Sequence, residues 1–272
     1  MTPELTEKLT QLKTRLTNLG SVLVAYSGGT DSSLLLRVAY EVLGNRVLAV
    51  TAFSPSLPLA ERAEASLLAR QIGARHRFLE TYEVETEVYA ANPPNRCYFC
   101  KLDISRALTT LAQAEGLAAV VDGNNADDRG DHRPGRQAAR ECGLISPLDE
   151  VGLTKAEIRT LAQHYGLPNW DKPASACLAS RVPYGTRITV EVLAQIEAAE
   201  AALRELGLRQ VRVRHHGDVA RIEAEPDDLG RLLEARATVA ARLRALGYTY
   251  VTLDLEGFRS GSLNRSLPTP AE

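Results

Sequence analysis

Leucines at 5, 9, 12, 16 and 19 open the chain at alternating spacings of four and three, which is one stripe of a helix. From residue 22 the texture becomes an alternation of short apolar runs and helical stripes. VLVAY (22–26) reads as a strand covered on both faces. SSLLLRVAYEVLG follows with helical spacing and ends on Gly44, where a left-handed cap belongs. RVLAVTA (46–52) predicts the next strand, LAERAEASLLARQIG (59–73) the next helix, and ARHRFLE another strand. A helix after Cys97 and a strand at AAVVD (118–122) continue the series. Such alternation implies a parallel, doubly wound α/β sheet with right-handed crossovers. TKAEIRTLAQHYG (154–166) then opens a helix on a capping box, Thr154 with Glu157.

The stretch 167–185 is long and irregular and holds three prolines. Loops of that length inside a compact domain are usually functional or disordered, and its small, aromatic and cysteine residues argue against disorder. From about 187 the pattern changes to a helix (189–206), two alternating strands in RQVRVRHHGDVARIEAE, a helix (227–246) and a strand (248–255). Two domains are therefore expected: residues 1–186 as the α/β sheet, and 187–272 as a smaller α+β unit with its own sheet.

Composition refines this picture only a little. At 272 residues, 44% apolar and 24% charged, the chain can bury a sizeable core. A net charge of −2 supplies no basic field for nucleic acid. The opening helix is charged throughout and lacks the apolar core of a signal peptide. No window approaches a membrane span. A cytoplasmic location is expected, where four cysteines remain thiols rather than a disulfide scaffold.

Chemistry concentrates first in AYSGGTDSS (25–33). A strand ends, two glycines turn the backbone tightly, and a helix begins, so backbone N–H groups and a helix N-terminus converge as an anion site. Ser27, Thr30, Ser32 and Ser33 add hydroxyls around Gly28 and Gly29, while Asp31, an acceptor when ionised, suits a magnesium ion beside phosphates. Neither a Walker A lysine nor a G-x-G-x-x-G fingerprint is present. The segment resembles the PP-loop ATP pyrophosphatases, a HUP-like α/β fold whose members split ATP between the α and β phosphates and transfer AMP to an oxygen. Asn124, Asn125, Asp127 and Asp128 follow the AAVVD strand, so they fall at the same C-terminal sheet edge. They are candidates for nucleotide or metal contact, the alternative being a polar turn.

Cys97 and Cys100 form a C-x-x-C at the start of a helix, flanked by Arg96 and Lys101. The positive end of a helix and nearby cations favour thiolates. Cys177 lies in the long loop near Arg181 and Lys172; Cys142 stands apart and reads as a buried thiol. A structural zinc site would want a fourth ligand, from His132 or Cys142. A disulfide relay would leave Cys177 without a role. A [4Fe–4S] cluster on three thiolates would leave one iron for sulfide or substrate. Residues alone leave cluster, zinc, thiol redox or sulfur-carrier chemistry and inert thiols all open.

Six segments together narrow the field: AYSGGTDSS, TAFSPSLP, NRCYFCK, DGNNADDRGDHRPG, KPASACLASRVPYG and QVRVRHHGDVARIE. From about residue 8 to 265 the chain resembles the LarE family, ATP-dependent sulfur insertases that mature the nickel-pincer nucleotide cofactor of lactate racemase-type enzymes. The resemblance implies adenylylation of a carboxylate of a pyridinium dicarboxylic acid mononucleotide, then replacement of oxygen by sulfur. It implies that Cys177 either gives up its own sulfur, becoming dehydroalanine, or joins Cys97 and Cys100 in holding a [4Fe–4S] relay; three cysteines match the second type. It gives ATP binding to Ser27, Gly28, Gly29, Thr30, Asp31, Ser32, Asn125 and Asp128, with Mg²⁺ on Asp31. It assigns substrate binding to Lys101, Ser180, Arg181, Arg212 and Arg214, with Glu200 and Glu223 in support. Bidentate arginines suit a phosphate or carboxylates, whereas the alternative for Arg212 and Arg214 is a solvated strand face. A homo-oligomer is expected, together with nickel-insertion and biosynthesis proteins of the same pathway as partners. The rival readings are a PP-loop tRNA thiolase, a glutamine-dependent or NAD-forming ligase, and a non-catalytic nucleotide-binding regulator.

Overall fold

The computed structural model describes residues 1–130, 134–173, 175–259 and 262–263. It divides into two compact units, Met1–Glu83 with Asn95–Ser175, and Val84–Pro94 with Ala176–Glu272. The chain thus leaves the first unit at residue 84, returns at 95, and leaves again after Ser175, upstream of the change in texture near 187.

The first unit begins with α1 (Pro3–Leu19), capped by Thr2, whose hydroxyl accepts the Leu5 N–H; Leu5, Leu9, Leu12 and Leu16 are buried as the stripe predicts. Then follow β1 (Val22–Ala25), α2 (Thr30–Leu43), β2 (Val47–Phe53), α3 (Leu59–Ile72) and β3 (Arg75–Glu80). One helical turn, α4 (Glu87–Ala90), belongs to the second unit. The first unit resumes with α5 (Arg96–Ala114), β4 (Ala119–Val121), α6 (Pro134–Glu141), α7 (Pro147–Glu150) and α8 (Lys155–His164).

All four strands are parallel, in the order β3-β2-β1-β4, and a single parallel bridge from Val121 to Ile145 extends the edge beyond β4. Alternate side chains of the central strands feed opposite cores. Val22, Val24, Val47 and Ala49 pack with α1, α2, α3 and α8, while Leu23, Leu48 and Val50 pack with Leu108 and Ala112 of α5 and Ala139 of α6. Helices on both faces explain why these strands read as unbroken apolar runs. The order reverses at β1, so the loops after β1 and β4 face one crevice at the C-terminal sheet edge, where doubly wound sheets bind ligands.

The second unit contains α9 (Val190–Arg204), β5 (Val211–His216), β6 (Val219–Ala224), α10 (Leu229–Glu234), α11 (Arg236–Ala245) and β7 (Tyr250–Leu253). β5 and β6 form an antiparallel hairpin, and β7 adds parallel to β6. Val211, Val213, Ala220 and Ile222 close a core with Leu203, Leu243 and Tyr248. The helix expected over 227–246 is broken: a turn at Pro226–Asp228 precedes α10, and Ala235, with ψ near zero, separates α10 from α11. Leu232 on one side and Val239 and Leu243 on the other still reach the same core.

Candidate functional site

In the first unit β1 delivers the chain into a preformed loop. Gly28 adopts φ +75°, and a Cβ there would stand 3.0 Å from the Ala65 Cβ of α3, so two independent constraints demand glycine. Ser27 Oγ accepts the Gly29 N–H at 3.3 Å and lies 3.2 Å from Ser32 Oγ, which in turn donates to Gly29 O. Gly29 caps α2 without a side-chain acceptor, which leaves the first-turn N–H groups for an anion. On the β4 side, Gly123 comes so near α2 that a Cβ would meet Ser32 N at 3.0 Å.

Not every hydroxyl of the motif serves the loop's mouth. Thr30 Oγ1 donates to Asn169 O at 2.8 Å, and Asn169 Nδ2 donates to Gly28 O and to Ser33 Oγ at 2.9 and 3.0 Å. Thr30 and Ser33 are buried, tying the loop to 167–173, a role their spacing does not reveal. Lys172, three residues on, donates to Glu61 and Glu64 of α3 at 2.7 and 2.6 Å. Burial opposes its charge, but the two carboxylates outweigh that and raise its pKa.

Asp31 sits in the first turn of α2 and accepts Lys155 Nζ on both oxygens, at 2.6 and 2.7 Å. Burial raises its pKa above the ordinary carboxylate range, with Lys155 opposing. Among the described residues no three His, Cys, Asp or Glu side chains gather as a metal site. That is compatible with magnesium, which usually takes one or two carboxylates and completes its shell with phosphate oxygens and water. Asp31 is a hard oxygen donor that already holds a cation, so the residue fits the ion.

The DGNNADD segment folds largely onto itself. Asn125 N donates to Asp128 Oδ2, Asp127 N donates to Asn125 Oδ1, and Ser146 Oγ donates to Asp122 Oδ1 at 2.7 Å. Asn125 and Asp128 are buried at the sheet edge and shape the turn that Gly123 brings against α2. Asp127 reaches α8 instead, accepting Lys155 N at 2.8 Å.

Cys97 and Cys100 occupy the first two turns of α5, Cys97 exposed and Cys100 half-buried, and no cysteine in the chain is in a disulfide. Arg96 beside them is buried rather than solvated. α6 packs on this end of α5: a Cβ on Gly135 would lie 3.3 Å from both Cys97 O and Lys101 Cβ, and Tyr98 donates to Glu141 at 2.5 Å. Cys142 approaches Leu102 O at 3.9 Å and packs beside the α5–α6 core, but it is half-buried rather than the buried thiol expected. His132 lies outside the described residues.

Cys177 belongs to the second unit, where it precedes the turn Leu178–Arg181. Arg181 is 1% exposed, and its guanidinium is engaged throughout: Nε and Nη2 donate to Glu200, and Nη1 donates to Ala176 O, to Cys177 O at 2.9 Å and to Ser180 Oγ. It therefore fixes the Cys177 backbone. Glu200, wholly buried, also accepts from Arg204 and from Val213 N. Burial opposes its ionisation, yet the hydrogen bond and charge of Arg181, with Arg212 and Arg204, hold its carboxyl below the ordinary range.

Arg212 and Arg214 share the face of β5 opposite Val211 and Val213, and both are buried, not solvated. Arg214 donates to Ser180 O, to Glu223 Oε2 and to Ser262 Oγ; its Nε is buried with no partner among the described residues. The Arg212 guanidinium lies 5.3 Å from the Phe258 ring centre, and burial, helped by Arg181, pushes its pKa down to about 10. Three guanidinium groups, Arg181, Arg212 and Arg214, are thus held dry in this unit, two of them paired with the buried carboxylates Glu200 and Glu223.

Residues that the sequence reading did not single out complete the picture. Lys155, Asn169 and Gly123 all act on the phosphate loop from distant segments. Buried Glu83 accepts from Ser54 and Ser56 at 2.5 and 3.0 Å and so shapes the loop after β2. The one available signal was the quoted TAFSPSLP, whose serines carry no spacing that would announce a carboxylate partner. No helix among the described residues is long and apolar enough to cross a membrane.

No family model matches the chain. Whole-chain relatives exist nonetheless. An uncharacterized protein of Synechocystis sp. is 47% identical over 97% of this chain and 99% of its own. The pyridinium-3,5-bisthiocarboxylic acid mononucleotide synthase of Lactiplantibacillus plantarum is 42% identical over 97% of this chain and 96% of its own. More distantly, a tRNA-specific 2-thiouridylase of Chlorobium luteolum is 30% identical over 61% of this chain and 54% of its own.

Proposed function

From the premise that this chain belongs to the LarE family of the PP-loop superfamily, we propose that it is an ATP-dependent sulfur transferase acting on pyridinium-3,5-biscarboxylic acid mononucleotide. A carboxylate oxygen attacks the α phosphate, the bond to the β phosphate breaks, and pyrophosphate leaves. Sulfide then adds at the activated carbonyl and AMP departs, so each turn forms one thiocarboxylate, one AMP and one pyrophosphate.

The observation that carries this reading is the phosphate loop, whose glycines and helix start offer N–H donors where negative charge grows on the leaving group. Mg²⁺ on Asp31 would neutralise the same charge. Asn125 and Asp128 support the nucleotide edge of the sheet by holding the turn after β4 in shape. Arg212 and Arg214, with Ser180, receive the substrate's phosphate or carboxylates, Arg181 and Glu200 hold the Cys177 segment, and Lys101 serves the substrate from α5.

Cys97, Cys100 and Cys177 are the sulfur-handling residues in this reading. Two thiols on the first turns of one helix suit a soft iron centre, and Cys177 would complete the three thiolates of a [4Fe–4S] cluster. Such a cluster would supply an iron able to take up sulfide. If the cluster is not the donor, Cys177 gives its own sulfur and becomes dehydroalanine. The same reading includes a homo-oligomer.

The test is anaerobic incubation with ATP, Mg²⁺, the biscarboxylate nucleotide and sulfide. Pyrophosphate and thiocarboxylate should appear together and only together. Pyrophosphate without sulfur in the product, or no dependence on the nucleotide, would overturn the proposal. Iron and acid-labile sulfide, each about four per chain and lost on replacing Cys97, Cys100 or Cys177, separate the cluster from the sacrificial route, in which Cys177 instead loses the mass of H₂S.

A further inference from the structure

Lys155 lies 124 residues beyond Asp31 in the chain, at the first position of α8, yet its ammonium grips both oxygens of the phosphate loop's aspartate. The backbone beneath it is fixed. Thr154 and Glu157 close a capping box, Lys8 donates to both Glu157 oxygens at 2.8 and 3.0 Å, and Asp127 holds the Lys155 N–H. The side chain is another matter: it ends a flexible four-carbon stem and is 31% exposed, so it can turn without disturbing the helix. Asp31 itself is confined to the first turn of α2. Arg159, one turn beyond Lys155, and Asp128, across the turn after β4, act on the same carboxylate.

As a stabilising ion pair this contact would contribute little, since both side chains reach solvent. Its position gives it another meaning. The Lys155 ammonium lies 2.6 and 2.7 Å from the two oxygens of Asp31, so a divalent ion bound to the same carboxylate would stand close to it and be repelled. Without any cation, Asp31 would repel an incoming polyphosphate from a loop built to accept it.

We propose that Lys155 is a placeholder cation. It neutralises Asp31 while no nucleotide is bound, yields that carboxylate to the divalent ion arriving with ATP, and turns its ammonium onto the departing β and γ phosphates. This rests on the ATP reading above and adds to it a coupling: metal binds well only together with nucleotide.

Mn²⁺ binding followed by electron paramagnetic resonance tests the idea, first without nucleotide and then with α,β-methylene-ATP. Lys155→Met should tighten nucleotide-free Mn²⁺ binding about tenfold by removing the competing charge, while weakening binding of the analogue by about tenfold or more. Lys155→Arg should keep nucleotide-free Mn²⁺ binding weak. In an Asp31→Asn background, Lys155→Met should no longer change Mn²⁺ affinity. Unchanged or weaker nucleotide-free binding in Lys155→Met would overturn the proposal, because a merely structural lysine cannot restrain metal affinity. Lys155→Gln replaces the methionine variant should that chain fail to fold. A wild-type protein that ignores the analogue would sink the ATP reading, and the nucleotide-free titrations would still decide the role of Lys155.

Discussion

The phosphate loop of the first unit and the arginine core of the second, the two anion sites of the proposed function, gather their donors by opposite means. In the loop the donors are backbone N–H groups, held by the left-handed Gly28 and the close approach of Gly123. In the arginine core the donors are guanidinium groups, Arg181, Arg212 and Arg214, all at least nine-tenths buried, with Arg181 tied to Glu200 and Arg214 to Glu223. A backbone site carries only partial charges and can stand ready at small cost. A buried cluster of cations needs carboxylates merely to remain folded while it waits, because unpaired charges in such surroundings are expensive. One site is maintained by shape and the other by charge balance.

The sharpest way to break this comparison is Cys177→Ala. Thiocarboxylate formation should disappear while ATP binding, measured by calorimetry, stays within a factor of about two; retained product would remove Cys177 from the chemistry. Glu200→Ala comes next and should cost roughly 3–5 kcal/mol in urea unfolding, since it strands Arg181 in a buried site. Gly28→Ala should cost roughly 1–3 kcal/mol and weaken ATP binding, because the left-handed backbone and Ala65 both oppose a side chain. Similar losses of stability from Gly28→Ala and Glu200→Ala would erase the distinction drawn here.

The pH dependence sharpens it further. The folded Glu200 carboxyl lies below its ordinary range, so its contribution to stability is complete above that range and is lost as the pH falls through the folded value. Glu200→Gln should therefore flatten the acid limb of the stability curve. The smallest effect belongs to Thr154→Ala, which should cost about 1 kcal/mol by opening the α8 capping box.

What could be read from the chain follows from how far each signal reaches. Leucines spaced three and four apart, and apolar runs bounded by glycine, are local, and α1, β1 to β4 and α8 lie within a few residues of where that pattern puts them. The SGG-T-D-S loop is local as well. Partnerships across the fold are not: nothing near Asp31 announces Lys155, and Asn169 looks like any residue of an irregular loop. Thr30 and Ser33 illustrate the limit, since their side chains turn toward Asn169 while Asp31 meets Lys155 and Ser32 meets Ser27 and Gly29. The break at Ala235 escaped because the apolar stripe of 227–246 continues across it in phase. Arg212 and Arg214 alternate as strand residues should, but alternation cannot distinguish water from a buried carboxylate on the outward face.

One feature of connectivity bears on how such a protein can change over time. Residues 84–94 belong to the second unit although they interrupt the first: within it, buried Asn92 adopts φ +56° and donates to Val182 O, Pro183 O and Thr186 O, and Ala90 O accepts the Ile188 N–H. A gene fragment beginning at codon 176 would lack that segment, and one ending there would carry it as an orphan loop. Recombination at this boundary would thus part the segment from its hydrogen-bonding partners on either side, which works against trading the two halves as interchangeable cassettes.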